Sequence, residues 1–405
     1  MASRSSSAAC DLSVDRDRGR FSGDPGAVDI PSFDPGYSTS KFARAAPPEV
    51  STVPSVTDFF AGAGGASLGA AAAGFTVEAA LDVDTAALTT HEANVGGPTI
   101  EHDLTALDPE ALPLSAQTAE WFHGSTACQG FSHAKGDRSL ADARNQLVRA
   151  FLKWVTRCQP RVVTLENVVG MQTISESFMT DLVGAFGSAG YLARWRVLDA
   201  ADFGVPQRRN RVFVVAVRGD CRPTASEWFP TPTHAPTSTA TLDGRELDAH
   251  RTATDALAGL PTAATGDAEL TSLEAARQRD EGAPPTRPAN HIAPDHDPEK
   301  MAKYGRYDLG STNGSVTESR LAPDEPARTM CSSNGTTPLH YREIESGKTR
   351  RLTTREVARL QSFPDSFRFV GAKDQQVQQA ANAVPPRLQY HISRRVKHLL
   401  ATMER

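Results

Sequence analysis

Four groups of residues in this sequence are of types that could do chemistry. Gly124-Ser125-Thr126-Ala127-Cys128-Gln129-Gly130-Phe131-Ser132 sets one cysteine among small and polar neighbours, which suits a loop. Its thiolate would be a nucleophile, although a lone cysteine in a globular chain is more often an inert core thiol. Glu166-Asn167-Val168 closes an apolar run with two polar groups that are costly to bury unless they bind something. A satisfied cap or salt bridge explains that pair equally well when it stands alone. Gln207-Arg208-Arg209-Asn210-Arg211 offers guanidinium groups for an anion or a carbonyl, and it is also what an ordinary solvated charge cluster looks like. Asp58-Phe59-Phe60-Ala61-Gly62-Ala63-Gly64-Gly65 is a glycine-rich turn where backbone can approach a ligand closely. Asp82 follows at the end of the next apolar run, where nucleoside-binding folds hold ribose hydroxyls. Turn and acid together point to a nucleoside-bearing cofactor and do not choose between a nicotinamide dinucleotide and S-adenosylmethionine.

These groups need elements to carry them. Val56 to Phe60 reads as a strand ending in the glycine turn, with an Ala-rich helix after it to about Ala73. Phe75–Leu81 and Glu120–His123 read as strands, and Thr85–Ala93 as a helix. Leu147, Val148, Phe151, Leu152 and Val155 recur at helical spacing within Asn145–Cys158. Val162-Val163-Thr164-Leu165 is the continuous apolar run of a strand buried on both faces. A helix over Phe178–Phe186 and strands at Trp195–Leu198 and Arg211–Val217 complete the series. Strands alternating with helices predict an α/β fold, a doubly wound and mostly parallel sheet with ligands at the C-terminal strand ends. The candidate residues fall at such ends. Helices are further expected at Thr354–Gln361 and from about Arg387 onward.

The chain of 405 residues has room for one large domain and a smaller one. Residues 1–50 are poor in large apolar groups and read as a disordered tail. Residues 51–222 form the expected catalytic and cofactor-binding domain. From 223 to 345, Pro, Thr, Gly, Asp and Ala dominate, as in a long linker or a small loop-rich module. Residues 346–405 make up the C-terminal segment. The net charge of −5 neither requires nor excludes a nucleic-acid partner, because a local basic face can sit on an acidic whole. The five cysteines form no CxxC pair and no ligand spacing, so no disulfide framework or metal site is expected. Without a membrane-length apolar run or a leader-like h-region, the expectation is a soluble cytoplasmic protein with no membrane partner.

Taken together and in order, these motifs resemble the DNA (cytosine-5) methyltransferase family. Asp58–Gly65 resembles its cofactor loop, Cys128–Ser132 its nucleophile loop, and Asp142–Leu147 the segment after that loop. Glu166-Asn167-Val168 is similar to the motif of the catalytic glutamate, and Phe203–Arg211 to the arginine motif. Arg351–Pro364 and Ala381-Asn382-Ala383-Val384-Pro385-Pro386 fit the C-terminal pair. The resemblance spans roughly residues 55–395.

It implies the S-adenosylmethionine-dependent methyltransferase sheet with 223–345 as a target-recognition module and 346–405 returning to the catalytic domain. S-adenosylmethionine would be the cofactor, with Phe60 on the adenosine, and Gly62 and Gly64 making room for the methionine part. Asp82 would meet the ribose, Asp103 the adenine amine, and Asn382 would close the pocket. Cys128 would attack C6 of a flipped-out cytosine, and Glu166 would serve N3 and the exocyclic amine. Arg211 would hold O2, and Arg209 would support the loop or the phosphates. Double-stranded DNA is the implied partner of a monomeric enzyme in the cytoplasm, nucleoid-associated through DNA, with a cognate restriction endonuclease as a further candidate. A binding-only relative and an RNA-directed enzyme are the alternatives.

The sequence departs from the family at two places. Thr126-Ala127 stands where the family usually has Pro-Pro, so the stiffening of the loop by fixed φ is lost unless another contact replaces it. Ala381 stands where a glycine is usual, which costs on the order of 1 kcal/mol if the position needs φ > 0.

Overall fold

The computed structural model describes residues 53–106, 108, 111–126, 146–173, 177–221, 227–241, 244–264, 288–294, 297–311, 318–330, 339–345 and 348–403. At its centre is a sheet of β1 (Ser55–Phe59), β2 (Thr76–Asp82), β3 (Thr99–Glu101), β4 (Trp121–Ser125), β5 (Val162–Val168), β6 (Tyr191–Asp199) and β7 (Asn210–Arg218). Their order is β3-β2-β1-β4-β5-β7-β6. The pairings are parallel except those of β7, which runs antiparallel to both β5 and β6. Helices α1 (Gly65–Ala72), α2 (Thr85–Asn94), α3 (Leu114–Gln117), α4 (Gln146–Cys158) and α5 (Phe178–Ser188) lie between the strands in sequence. The doubly wound, mostly parallel sheet expected from the sequence is present.

Successive side chains of a strand face opposite sides of the sheet, and here both sides are covered. Phe122, Val163, Leu165, Val212 and Val214 join one core with Phe151, Trp154 and Phe178. Trp121, Val162, Phe213, Val215 and Val217 join a second core with Leu388, Ile392 and Leu399. That is why β5 and β7 read as unbroken apolar runs. On the first side the ring of Phe59 lies 5.0 Å from that of Phe122, 5.4 Å from Phe151 and 5.6 Å from Trp154.

The second core is completed by the closing helix Pro386–Thr402. It lies so close to α1 that a Cβ on Gly69 would stand 2.5 Å from the carbonyl oxygen of Pro386. Only glycine permits that approach.

Three features differ from the sequence-based expectation. β5 does not stop at Leu165 but continues through Glu166, Asn167 and Val168, because β7 pairs with all of it. The three-residue β3 and the helix Lys373–Asn382 carry little apolar periodicity and were not expected. The stretch after Cys221 holds two small sheets, formed by β8 (His234–Ala235), β9 (Thr239–Ala240) and β10 (Glu246–Ala249), then β11 (Glu318–Arg320), β12 (Leu339–Glu345) and β13 (Lys348–Arg351). The β12–β13 hairpin spans the expected boundary at 345/346. Glu356, at the start of helix Thr354–Leu360, ties it down through ion pairs of 2.7 Å to both Arg342 and Arg350. Among the described residues no helix is long and apolar enough to cross a membrane.

Candidate active site

In this topology β1 and β4 are adjacent, and the chain leaves them in opposite directions across the sheet. Their C-terminal ends therefore border the crevice in which such sheets bind ligands.

At the β1 end, Phe60 turns the chain with φ 59°, followed by Gly62 at 52° and Gly64 at 94°. A non-glycine residue in the left-handed region is uncommon, and the structure over-determines it here. The Ala61 amide donates to Leu81 O at 3.0 Å, and the Gly62 amide donates to Asp82 Oδ2 at 2.8 Å. Asp82 Oδ1 accepts from the amides of Val83 (2.7 Å) and Asp84 (3.0 Å). Burial pushes the Asp82 carboxyl up, against the downward pull of these three amides. Beneath Gly64 lies the buried ring of His91, and a Cβ at Gly64 would stand 2.7 Å from its Cδ2. Burial lowers the pKa of His91 to about 4, so the ring is neutral at pH 7. The result is a bare-backbone turn beside an acid, a cradle that suits a ribose and its flanking chain. Asp103 is exposed, with Oδ1 accepting from the amide (2.9 Å) and hydroxyl (2.8 Å) of Thr105, which hold its carboxyl below the usual range.

At the ends of β4 and β5, Ser125 pairs with Glu166. Glu166 is buried, with Oε1 3.1 Å from Arg211 Nε and Oε2 accepting from the Ser125 hydroxyl at 3.4 Å. Asn167 donates from Nδ2 to both the carbonyl (3.0 Å) and the hydroxyl (2.7 Å) of Thr126. Cys128 and Asp142–Asn145 lie outside the described residues, and Thr126 is the last described residue before the cysteine.

Arg209 is buried and does not face outward to a phosphate. Its Nη1 donates to Met330 O (3.0 Å) and Ala381 O (2.9 Å), and its Nη2 to Asn382 O (3.2 Å). Asn382 is exposed at the end of its helix, so Arg209 holds the backbone that presents it. Ala381 has no positive φ, so the alanine there meets no left-handed strain.

The structure thus brings Glu166 and Arg211 into contact and joins Arg209 to Asn382, while the glycine turn and Asp82 form a separate corner of the same sheet edge. Sequence reasoning missed the roles of Ser125, Asn167 and Gln207. Gln207 is fully buried, accepts from the Met330 amide at 3.1 Å and donates to Leu360 O at 3.4 Å. Their only advance signal was polar residues beside apolar ones at strand ends. A buried carboxyl group next to a guanidinium can grip one edge of a planar heterocycle, the acid on a ring nitrogen and amine, the cation on a carbonyl oxygen.

Comparison with known proteins shows the family. The model of the C-5 cytosine-specific DNA methylase family matches residues 55–398. The type II methyltransferase M1.HphI of Haemophilus parahaemolyticus is 30% identical over 357 residues, covering 84% of this chain and 85% of its own. M.NgoFVII of Neisseria gonorrhoeae is 31% identical over 340 residues, covering 83% and 84%. Among solved structures, a candidate DNA modification methyltransferase encoded within an E. coli prophage superposes with a TM-score of 0.65 at 26% identity, covering 86% of this chain and 99% of its own. Dnmt2 of S. pombe shares the fold at a TM-score of 0.53 and 18% identity, covering 86% and 98%. From the family match over most of its length, the chain belongs to the C-5 cytosine-specific DNA methylases and is a DNA cytosine-5 methyltransferase.

Proposed function

We propose that the protein methylates C5 of a cytosine flipped out of duplex DNA, through a transient bond between Cys128 Sγ and C6 of the base. The observation that carries this reading is the buried Glu166–Arg211 pair beside the strand end that leads to Cys128. Cytosine C5 is a weak nucleophile, and addition of a thiolate at C6 makes it an enamine carbon. Glu166 delivers a proton to N3 as charge builds on the ring and accepts from the exocyclic amine, and Arg211 holds O2. After methylation a base removes the C5 proton, the C5–C6 double bond reforms, and Cys128 leaves. A base inside a duplex cannot reach such a buried pair, so it must be extruded.

S-adenosylmethionine, when bound, would supply the electrophilic methyl group and leave as the neutral thioether S-adenosylhomocysteine. The glycine cradle and the Asp82 carboxyl fit its nucleoside part, with Phe60, Gly62 and Gly64 lining the turn. Asp103 serves the adenine amine and Asn382 closes the pocket from the C-terminal side. Residues 223–345 act as the target-recognition module. Similarity to type II methyltransferases supports pairing with a cognate restriction endonuclease.

The test is expression in a bacterium lacking cytosine methylation of its own, followed by methylation sequencing of its DNA. We expect 5-methylcytosine in one sequence context with the wild type and none with Cys128→Ser. An unmethylated genome, or methylation confined to RNA, would contradict the reading.

A further inference from the structure

We propose that Thr126 is a positioning residue for the reacting cysteine, its hydroxyl doing by hydrogen bonding what a proline ring would do by covalent constraint. This rests on the assignment of Cys128 as nucleophile. Ser125 and Glu166 are the last paired residues of β4 and β5, so Thr126 and Asn167 face each other where β4 leaves the sheet. Both are buried, at 3% and 1% exposure. The amide of Asn167 is oriented without ambiguity, because its Oδ1 accepts from the Val168 amide at 2.8 Å and its Nδ2 must then face Thr126. That Nδ2 has two hydrogens and spends them on the carbonyl and hydroxyl of the same residue. The clamp thus adds one side-chain rung to the β4–β5 ladder, two residues before Cys128.

The chemistry of the residue supports a role beyond filling space. Threonine is branched at Cβ and stiff at χ1, so an engaged hydroxyl fixes one rotamer. Proline would offer Asn167 only its carbonyl and leave the second buried N–H unpaired, which is costly. Asn167 directly follows Glu166, so one side chain sets Thr126, two residues before Cys128 in sequence, relative to the carboxyl group that must act on the same base. Attack by a thiolate is sensitive to displacements of about 1 Å, and that is the error such a clamp suppresses.

The experiment compares full-length wild type, Thr126→Val and Thr126→Ser. Single-turnover transfer of tritiated methyl from S-adenosylmethionine to unmethylated genomic DNA is measured together with cofactor affinity and thermal midpoint. Valine keeps the shape and removes the hydroxyl. We expect its transfer rate to fall on the order of tenfold, the equivalent of one hydrogen bond, with cofactor affinity unchanged. Serine should return the rate to near wild type. Transfer by Thr126→Val at the wild-type rate overturns the proposal. So does a loss that extends equally to cofactor binding and is not restored by serine, since that is general damage. A wild type that transfers no methyl at all instead overturns the assignment of Cys128, and this proposal with it.

Discussion

Glu166 and Arg211 meet diagonally across two antiparallel strands. Arg211 pairs in register with Val168, two residues beyond Glu166 and on the same face, which brings Nε to 3.1 Å from Oε1 with both side chains less than a tenth exposed. Such a diagonal pair is within reach of long side chains. Removing one partner of a buried ion pair leaves the other uncompensated, and Arg211→Ala should lower stability by about 3 kcal/mol or more as well as abolish methyl transfer. Urea denaturation measures the first effect. A variant as stable as wild type would show that the carboxyl group does not depend on this arginine.

Arg209 makes a different prediction, although it lies only two residues away. Its guanidinium bridges Met330, Ala381 and Asn382, from segments far apart in sequence. A lysine ammonium cannot reproduce that fork. Arg209→Lys should cost on the order of 2 kcal/mol and weaken S-adenosylmethionine binding by loosening the backbone at Asn382, without weakening DNA binding. Isothermal titration with the cofactor and a DNA shift assay separate the two. Weakened DNA binding alone would place Arg209 on the phosphates instead.

Asp58 supplies a pH signature. It is buried in β1, accepts from the Ser67 hydroxyl at 2.5 Å, and has its pKa pushed up to about 7, chiefly by burial. The folded protein therefore keeps this proton at pH values where the unfolded chain, near 3.8, has lost it. Its contribution is fully present below the unfolded value and is lost as pH rises toward about 7. Within that window each pH unit removes on the order of 1.4 kcal/mol. The stability difference between wild type and Asp58→Asn should thus move against wild type from pH 5 to 7 and then level off. Taking the difference cancels the opposite trend of the buried histidines His91, His123 and His391, whose lowered pKa values favour folding at higher pH. A difference independent of pH would mean that Asp58 is ionised throughout.

Ala381 is fully buried in the helix Lys373–Asn382 with ordinary helical backbone. Restoring glycine there should not relieve strain. Ala381→Gly should instead cost about 1 kcal/mol through helix propensity and lost packing, read as a lower midpoint in thermal denaturation. A stabilised variant would contradict the backbone assigned to this position.

The parts that could be read from the sequence were those with local signatures. Val162–Leu165 and Arg211–Val217 announced buried strands because both faces are apolar, and the glycine turn announced itself through residue type. The direction of β7 could not be read, because an apolar run has the same composition either way. Nor could the grip of Arg209 on carbonyls up to 173 positions away, since backbone acceptors leave no mark in residue identity. The helix Lys373–Asn382 was hidden by its polar composition. At Thr126 the sequence showed only a missing proline, whereas the structure shows the hydroxyl engaged by Asn167.

The most direct measurement of the central claim is trapping on duplex DNA in which cytosine is replaced by 5-fluorocytosine, in the presence of S-adenosylmethionine. Fluorine occupies the position of the proton that must leave, so the bond between enzyme and base persists after methylation. We predict a denaturation-resistant adduct whose peptide carries the base on Cys128, absent in Cys128→Ser. Methylation of ordinary DNA without any adduct at Cys128, or an adduct on Cys158 or Cys221 instead, would contradict the account.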